Sequence, residues 1–397
     1  MDPLLVNCLS IQLVLAMLAP GIPFHGKTLF LADLWVFVVL GIIALRLRAG
    51  RVPLKTLGTI GVLFLVAFIH GSFRIPMPQA LAEQLQYQSD RFDPGREAFI
   101  AFRFLSWLTE GILLWTALPQ GPGKGADLHR RLFRVLAFVT LTAGGLTLLS
   151  GLSHPFSSWM ASLYGYENSL HASVAKNWGG RAFGPFQSPL EAGVTLTLCG
   201  FLLYAAELSM PLRQSCLWVC GIAVLLTHTL TALASGVLAW IFFRMVRLKS
   251  GLKLASILGA AALSLAVLWS AKYVPWLNDF IVIKYGHLHG RILPWELLTS
   301  TVLSRWDLPL FGLGFNPIYV DNSYLFVFFK LGLLGVLVLG ALCFRWGYRN
   351  WMQWSLPQRQ VLLFLLISGL TLDTFIIRPV VMIFIAAGLP LLRSSGI

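Results

Sequence analysis

The chain has 397 residues, of which 57% are hydrophobic and only 12% charged, with a mean hydropathy of +0.76 and a formal net charge of +14. A soluble globular domain carries about 25% charged residues, so this composition excludes an ordinary soluble enzyme and points to an all-α, polytopic integral membrane protein. The basic excess does not imply a nucleic-acid partner, because it is gathered between apolar runs: Arg46, Arg48, Arg51 and Lys55; Lys124, Arg130, Arg131 and Arg134; Arg244, Arg247, Lys249 and Lys253; Arg345, Arg349 and Arg359. Short loops rich in Lys and Arg mark the cytoplasmic ends of membrane helices.

In chain order, apolar runs fall near 4–20, 28–46, 54–70, 97–118, 132–152, 189–209, 215–229, 231–246, 253–270, 322–344, 359–376 and 379–395. Each approaches the ~20 residues that cross a hydrocarbon core, which gives about 12 spans. The stretch 215–246 reads either as two short helices meeting at LTHTLTALAS or as one long tilted helix. The N-terminal MDPLLVNCLSIQLVLAML lacks a basic n-region and a cleavage site, so it reads as a retained first helix. With the basic loops inside, both termini lie in the cytoplasm, and the long loops 71–96, 153–188 and 271–321 share the opposite face. The chain divides into N-terminal membrane helices, 1–152, and a region 153–397 that carries the two larger polar loops. All five cysteines lie in apolar segments and read as small buried hydrophobes.

Chemistry concentrates in those loops. In NWGGRAFGPFQSPLEAGVTLTL (177–198), Arg181 sits among glycines, Gly184-Pro185 turns the chain, and Glu191 opens the next helix. A guanidinium held by turns at a membrane interface suits bidentate binding of phosphate or diphosphate; an arginine snorkelling to headgroups gives the same pattern. Arg291 follows in GHLHGRILPWELL, beside His287, His289 and Glu296. The two histidines alternate, yet no third ligand stands at a recognisable spacing, so no metal site is expected. Asp321, Asn322 and Tyr324 open the helix that begins near 322. A residue of that type can cap the helix or, as a carboxylate beside an aqueous cavity, act as a general base. Arg103, Glu110 and Asp373 are ionisable residues within apolar runs, and Arg378 begins the last run at the extracytoplasmic face. There is no Walker loop, no GxGxxG after a strand and no soluble segment long enough to hold a nucleotide. No internal repeat of the transporter kind is visible.

The ordered series RAFGPFQSPLEAG, LTHTLTALAS, GRILPWE, PLFGLGF and DNSYL followed by KLGLLG resembles the bacterial O-antigen polymerase and ligase superfamily. The likeness is greatest to the Wzy-type exopolysaccharide polymerases, and it covers about 175–337. The resemblance implies an all-helical membrane glycosyltransferase with a large periplasmic loop, set in the bacterial inner membrane and acting on undecaprenyl-diphosphate-linked glycans. It implies no cofactor and no metal. Besides that glycan and the bilayer, a flippase and a chain-length regulator are the partners it suggests. The family's two periplasmic-loop arginines, which engage the diphosphate, fall on Arg181 and Arg291, with Arg305 or Arg378 as further cations. Asp321 takes the position of the motif histidine and becomes the first candidate base, with His289 and Glu191 in reserve; Asn322 and Tyr324 are candidate substrate contacts. Two departures stand out: Leu230 replaces a basic residue of the helix-junction motif, and Asp321 in place of histidine favours a polymerase over a ligase. A ligase acting on lipid A-core, and a secondary transporter using Arg103, Glu110 and Asp373, are the alternatives.

Overall fold

The computed structural model describes residues 2–24, 27–47, 52–74, 94–118, 126–164, 181–246, 295–296, 298–314, 322–351, 353–371 and 377–394. Among them the chain is all-helical apart from one short hairpin. Helix α1 (Pro3–Leu18) leads through antiparallel β1 (Gly21–Phe24) and β2 (Lys27–Phe30) into α2 (Leu31–Arg46). The hairpin returns the chain, so Asp2 can both cap α1, accepting from Leu4 N at 2.8 Å, and pair with Arg46 at the far end of α2. Then follow α3 (Leu54–Arg74), α4 (Pro94–Ala117), α5 (Ala126–Leu152), the short α6 (His154–Leu163), α7 (Pro189–Ala205), α8 (Met210–Leu226) and α9 (Leu230–Val246). After the single turn α10 (Leu308–Phe311) come α11 (Ser323–Trp351), α12 (Leu356–Thr371), α13 (Arg378–Ile383) and α14 (Leu389–Ser394). The last two are joined by a π-helical turn at Phe384–Gly388.

Eleven of the expected apolar runs coincide with these helices; the run at 253–270 lies outside the described residues. The stretch 215–246 is two helices, separated at 227–229 where His228 takes a φ of 50°. Two expected loops contain helix: α6 opens the segment 153–188, and α3 and α4 extend into 71–96. The expectation of about 12 spans needs a correction in length. Among the described residues only two helices are long and apolar enough to cross a membrane by length and composition, His129–Leu152 and Ser323–Trp351. Six others have 16 or 17 residues. At 1.5 Å per residue that is about 24–26 Å, short of a hydrocarbon core of about 30 Å.

Helix α7 is the hub. Its sequence, PLEAGVTLTLCGFLLYA, is apolar or small on every side, and such a helix is stable only when surrounded. It packs against α5, α8, α9, α12 and α13, with Val194, Leu196, Leu198, Cys199 and Leu202 fully enclosed. The core formed around it runs continuously from Leu5 to Leu391. Outward faces are apolar as well: Leu45 is 88% exposed, Phe138 75%, Leu152 75% and Trp218 72%. Four cysteines are buried, whereas Cys343 is exposed on one of these apolar faces.

Side-chain contacts separate the helix ends into two sets. At one end Tyr164 Oη donates to the Leu18 carbonyl (2.8 Å), Asn322 Nδ2 to that of Leu370 (2.6 Å), and Arg181 Nε to that of Thr227 (2.9 Å). At the other end Asp2 meets Arg46, Arg130 meets Glu207 (3.9 Å), and Trp354 Nε1 donates to the Leu392 carbonyl (3.0 Å). Along the described chain the long helices therefore run between these two ends, while the short α6 begins and finishes at the Arg181 end.

Helix α11 is broken at Gly332, whose φ of 65° and ψ of −170° are non-helical. The break exposes the carbonyls of Phe329 and Lys330, and the loop after α10 takes both: Leu313 N donates to Phe329 O (2.6 Å) and Gly314 N to Lys330 O (3.2 Å). A Cβ on Gly332 would collide with the backbone of Leu310, and its dihedrals belong to a region open almost only to glycine. Gly332→Ala is expected to cost more than the roughly 1–3 kcal/mol of the backbone conformation alone. Gly340→Ala, at a helical position with nothing within 4 Å, serves as the control and should be neutral or slightly stabilising. Thermal unfolding of the two purified variants checks this, and equal melting temperatures would contradict it.

Candidate functional site

The Arg181 segment is held by its neighbours from both sides. Ser150, in the last turn of α5, accepts from Phe183 N (3.1 Å) and Gly184 N (2.9 Å) through its hydroxyl. Gly184, with φ of 56°, lies so close to Thr147 that a Cβ would strike its backbone nitrogen at 2.8 Å. On the other side Ala182 N donates to Leu226 O (3.0 Å), and the Arg181 side chain donates to Thr227 O (2.9 Å) and His228 O (3.3 Å). These carbonyls are left open by the break between α8 and α9. A guanidinium, which carries five donors, can serve two of them and still face outward. Burial lowers the Arg181 pKa from its ordinary value, a small effect against a group that stays charged at any physiological pH.

The start of α7 closes on the same junction. Ser188 caps the helix by accepting from Glu191 N (3.2 Å), while Glu191 Oε2 accepts from Gln187 N (2.9 Å), a reciprocal arrangement of the capping-box kind. Thr229 Oγ1 donates to Pro189 O (2.9 Å), and a Cβ on Gly193 would crowd Thr227 and Thr229 at 3.0 Å. RAFGPFQSPLEAG and LTHTLTALAS are thus two halves of one local structure. Glu191 is buried, and one of its carboxylate oxygens is committed to the chain that enters α7.

Arg378, buried at the start of α13, lies flat on Phe30 with its guanidinium carbon 3.2 Å from the ring centre. It interacts electrostatically with Glu191 and with Asp33 of α2. Asp33 is bound in turn by Arg103 of α4 at 2.6 Å. The four side chains make a chain of alternating charge, Arg103–Asp33–Arg378–Glu191, leading from α4 to the mouth of α7. Such compensation is what lets ionised groups remain inside an apolar bundle.

Arg305 belongs to a second cluster. Its Nε and Nη2 grip the two oxygens of Asp307 at 3.1 and 2.7 Å. Asp307 also faces Nε2 of His70 at 3.1 Å, while Nδ1 of His70 faces Gly312 O at 3.2 Å. Both ring nitrogens meet acceptors, so an imidazolium satisfies both at once and a neutral ring satisfies one. This cluster ties α3 to the loop around α10, and through that loop to the break in α11. Sequence reading passes over His70 because it ends the apolar run LFLVAFIH and its partner lies 237 residues away.

Asn322 caps α11, its Oδ1 accepting from Tyr324 N and Leu325 N, both at 2.9 Å, and its Nδ2 donates to Leu370 O. Tyr324 Oη donates to Leu366 O at 2.9 Å. Both residues fasten α11 to α12. Arg291, His289 and Asp321 lie outside the described residues. The structure therefore brings Arg181, Glu191 and Arg378 together around the mouth of α7, sets Asn322 and Tyr324 on α12, and commits Arg305 to Asp307 and His70. All of these belong to the same end of the bundle. Among the described residues no group of three or more His, Cys, Asp or Glu side chains is arranged to hold a metal ion.

The hydrogen bonds from Arg305, with those from His70 behind them, hold Asp307 at a pKa of about 2, below the ordinary carboxylate value of 3.8. A carboxylate whose folded pKa is depressed stabilises the fold above its unfolded pKa, and that contribution is lost as pH falls through the folded value. Wild type should therefore exceed Asp307→Asn in melting temperature by a constant margin above about pH 4, and the margin should shrink as pH falls toward about 2. A margin that does not change with pH would remove ionised Asp307 from the cluster. Compared with known proteins, the chain matches no family model and no curated protein.

Proposed function

We propose that the protein is a bacterial inner-membrane glycosyltransferase of about 12 spans that polymerises undecaprenyl-diphosphate-linked repeat units into a surface polysaccharide at the periplasmic face. The observation that carries this reading is the anchoring of Arg181. A cation is fixed on the broken junction between α8 and α9, at the mouth of the hub helix, whose Glu191 interacts with Arg378. Fixed cations in a partly dehydrated site stabilise charge that develops on a leaving diphosphate.

The membrane setting is supported by the apolar outer faces of α2, α5, α8 and α11, since a soluble monomer rarely exposes contiguous apolar patches above a few hundred Å². The end that carries Arg46, Arg130, Arg345, Arg349 and Arg359 fits the cytoplasmic side under the positive-inside rule. Helices of 16 or 17 residues fit a bilayer when they are packed inside a bundle, where local thinning and snorkelling take up the shortfall.

In the proposed reaction a hydroxyl of the acceptor repeat unit attacks the anomeric carbon of the donor glycan. The bond from that carbon to the diphosphate oxygen breaks, and the lipid diphosphate leaves with the electron pair. Arg181 and Arg291 bind the diphosphate, and Asp321 receives the hydroxyl proton, with His289 as the reserve. Glu191 is a weaker reserve, because it is engaged with Gln187 N. Asn322 and Tyr324 act by fixing the start of α11 to α12.

A secondary transporter is the second reading. It is favoured by Glu110, whose carboxyl is fully buried in α4 with neither oxygen hydrogen-bonded among the described residues. Deleting the gene and examining surface polysaccharide separates the two. Loss of long chains with single repeat units retained is expected; polymer of full length left unattached to lipid A-core would indicate a ligase, and unchanged polysaccharide would sink both glycosyltransferase readings. Arg291→Ala and Arg181→Ala should each abolish polymer while the protein stays in the membrane at its normal level. Polymer near wild-type level in either variant removes that arginine from the mechanism.

A further inference from the structure

At the end opposite Arg181 the C-terminal turns of α4, α11 and α14 enclose a cavity of about 930 Å³. Arg345, Arg349 and Arg393 line it together with Trp115, Trp346 and Asn350, and among the described residues no carboxylate does. Arg345 and Arg349 stand four residues apart and so share one face of α11, an arrangement that is mildly repulsive on an isolated helix.

The walls are fixed. Arg393 lies over Trp115 with its guanidinium carbon 4.6 Å from the ring centre, and Trp115 meets Trp346 edge to face at 5.2 Å. Trp346 packs on Trp354 at 4.9 Å, and Trp354 Nε1 donates to Leu392 O at 3.0 Å. Asn350 Nδ2 donates to Trp346 O at 2.6 Å. Three cations thus converge from two helices onto one prebuilt space floored by two indole rings. A cationic mouth above an aromatic wall suits a compact polyanion attached to an apolar body, and basic pockets between helices at the cytoplasmic side take lipid phosphate headgroups.

We propose that this cavity binds a phosphate-bearing anion, with the phosphodiester headgroup of an anionic membrane lipid as its source. The site is separate from the Arg181 cluster and does not depend on the glycosyltransferase reading; the lipid source alone rests on the protein being in a membrane. Three arginines chelate the phosphate oxygens, and Trp115 and Trp346 meet the glycerol and upper acyl region.

The full-length protein in neutral detergent tests this by thermal unfolding and by ligand titration. The ligands are short-chain phosphatidylglycerol, short-chain phosphatidylcholine and inorganic phosphate. Phosphatidylglycerol should raise the melting temperature and phosphatidylcholine should not. Binding should weaken about tenfold or more in Arg345→Gln/Arg349→Gln and in Arg393→Gln, as for the loss of charge-assisted hydrogen bonds. Arg349→Lys, which keeps the charge, should retain more affinity than Arg349→Gln. Arg46→Gln, a basic residue at the same end but outside the cavity, should bind like wild type. Equal stabilisation by inorganic phosphate would keep the site and assign it a soluble ligand. No stabilisation by either phosphate compound, or an equal loss in Arg46→Gln, overturns the proposal. Fractionation of the protein away from membranes would overturn the lipid source and the membrane reading together, while the phosphate titration still judges the cavity.

Discussion

Non-helical backbone within an apolar bundle must find its hydrogen bonds from protein, and the rest of this structure follows from how that requirement is met. Two interruptions illustrate it. The junction of α8 and α9 frees the carbonyls of Leu226, Thr227 and His228, and the Arg181 segment takes all three. The break in α11 frees those of Phe329 and Lys330, and the loop at 312–314 takes both. In each case a polar loop that would otherwise drift at the surface is drawn into the bundle and fixed in register. The breaks are therefore the sockets on which these loop segments are mounted.

Charge is managed by the same logic of mutual satisfaction. Arg103, Asp33, Arg378 and Glu191 alternate in sign from one helix to the next, and at the neighbouring loop Asp307 is held between Arg305 and the His70 ring. Each series ends beside one of the two sockets. Both series hold their charged side chains through buried or partly buried partners. The end carrying Arg345, Arg349 and Arg393 differs: three arginines line one cavity, to which no carboxylate among the described residues contributes.

Much of the fold is legible along the chain because apolar run length and flanking charge act locally. Eleven runs coincide with helices, and the basic residues of the alternating loops fall at one end. Ser188-Pro189-Leu190-Glu191 reads as a helix start and is one. Less of the site is legible. Glu191 and Asn322 have the residue types of a base and a substrate contact, yet their polar atoms close helix ends. Arg305 has the type of a phosphate cation, yet it grips Asp307, two residues away. Residue type reports what a side chain can bond to, and only packing decides which partner arrives first.

The sequence by itself determined that the chain is mostly helical and apolar, where most of its long helices lie, and that Arg46, Arg130, Arg345 and Arg349 belong to one end. These follow from burial and capping energies that depend on near neighbours in sequence. Tertiary structure alone decided that α7 is the hub, that Arg181 mounts on the carbonyls of a helix break, and that His70 meets Asp307 across 237 residues. It also decided that three arginines from α11 and α14 share a single cavity. Those facts depend on which helix faces which, a choice made by the combined packing of segments that no local pattern of residues records.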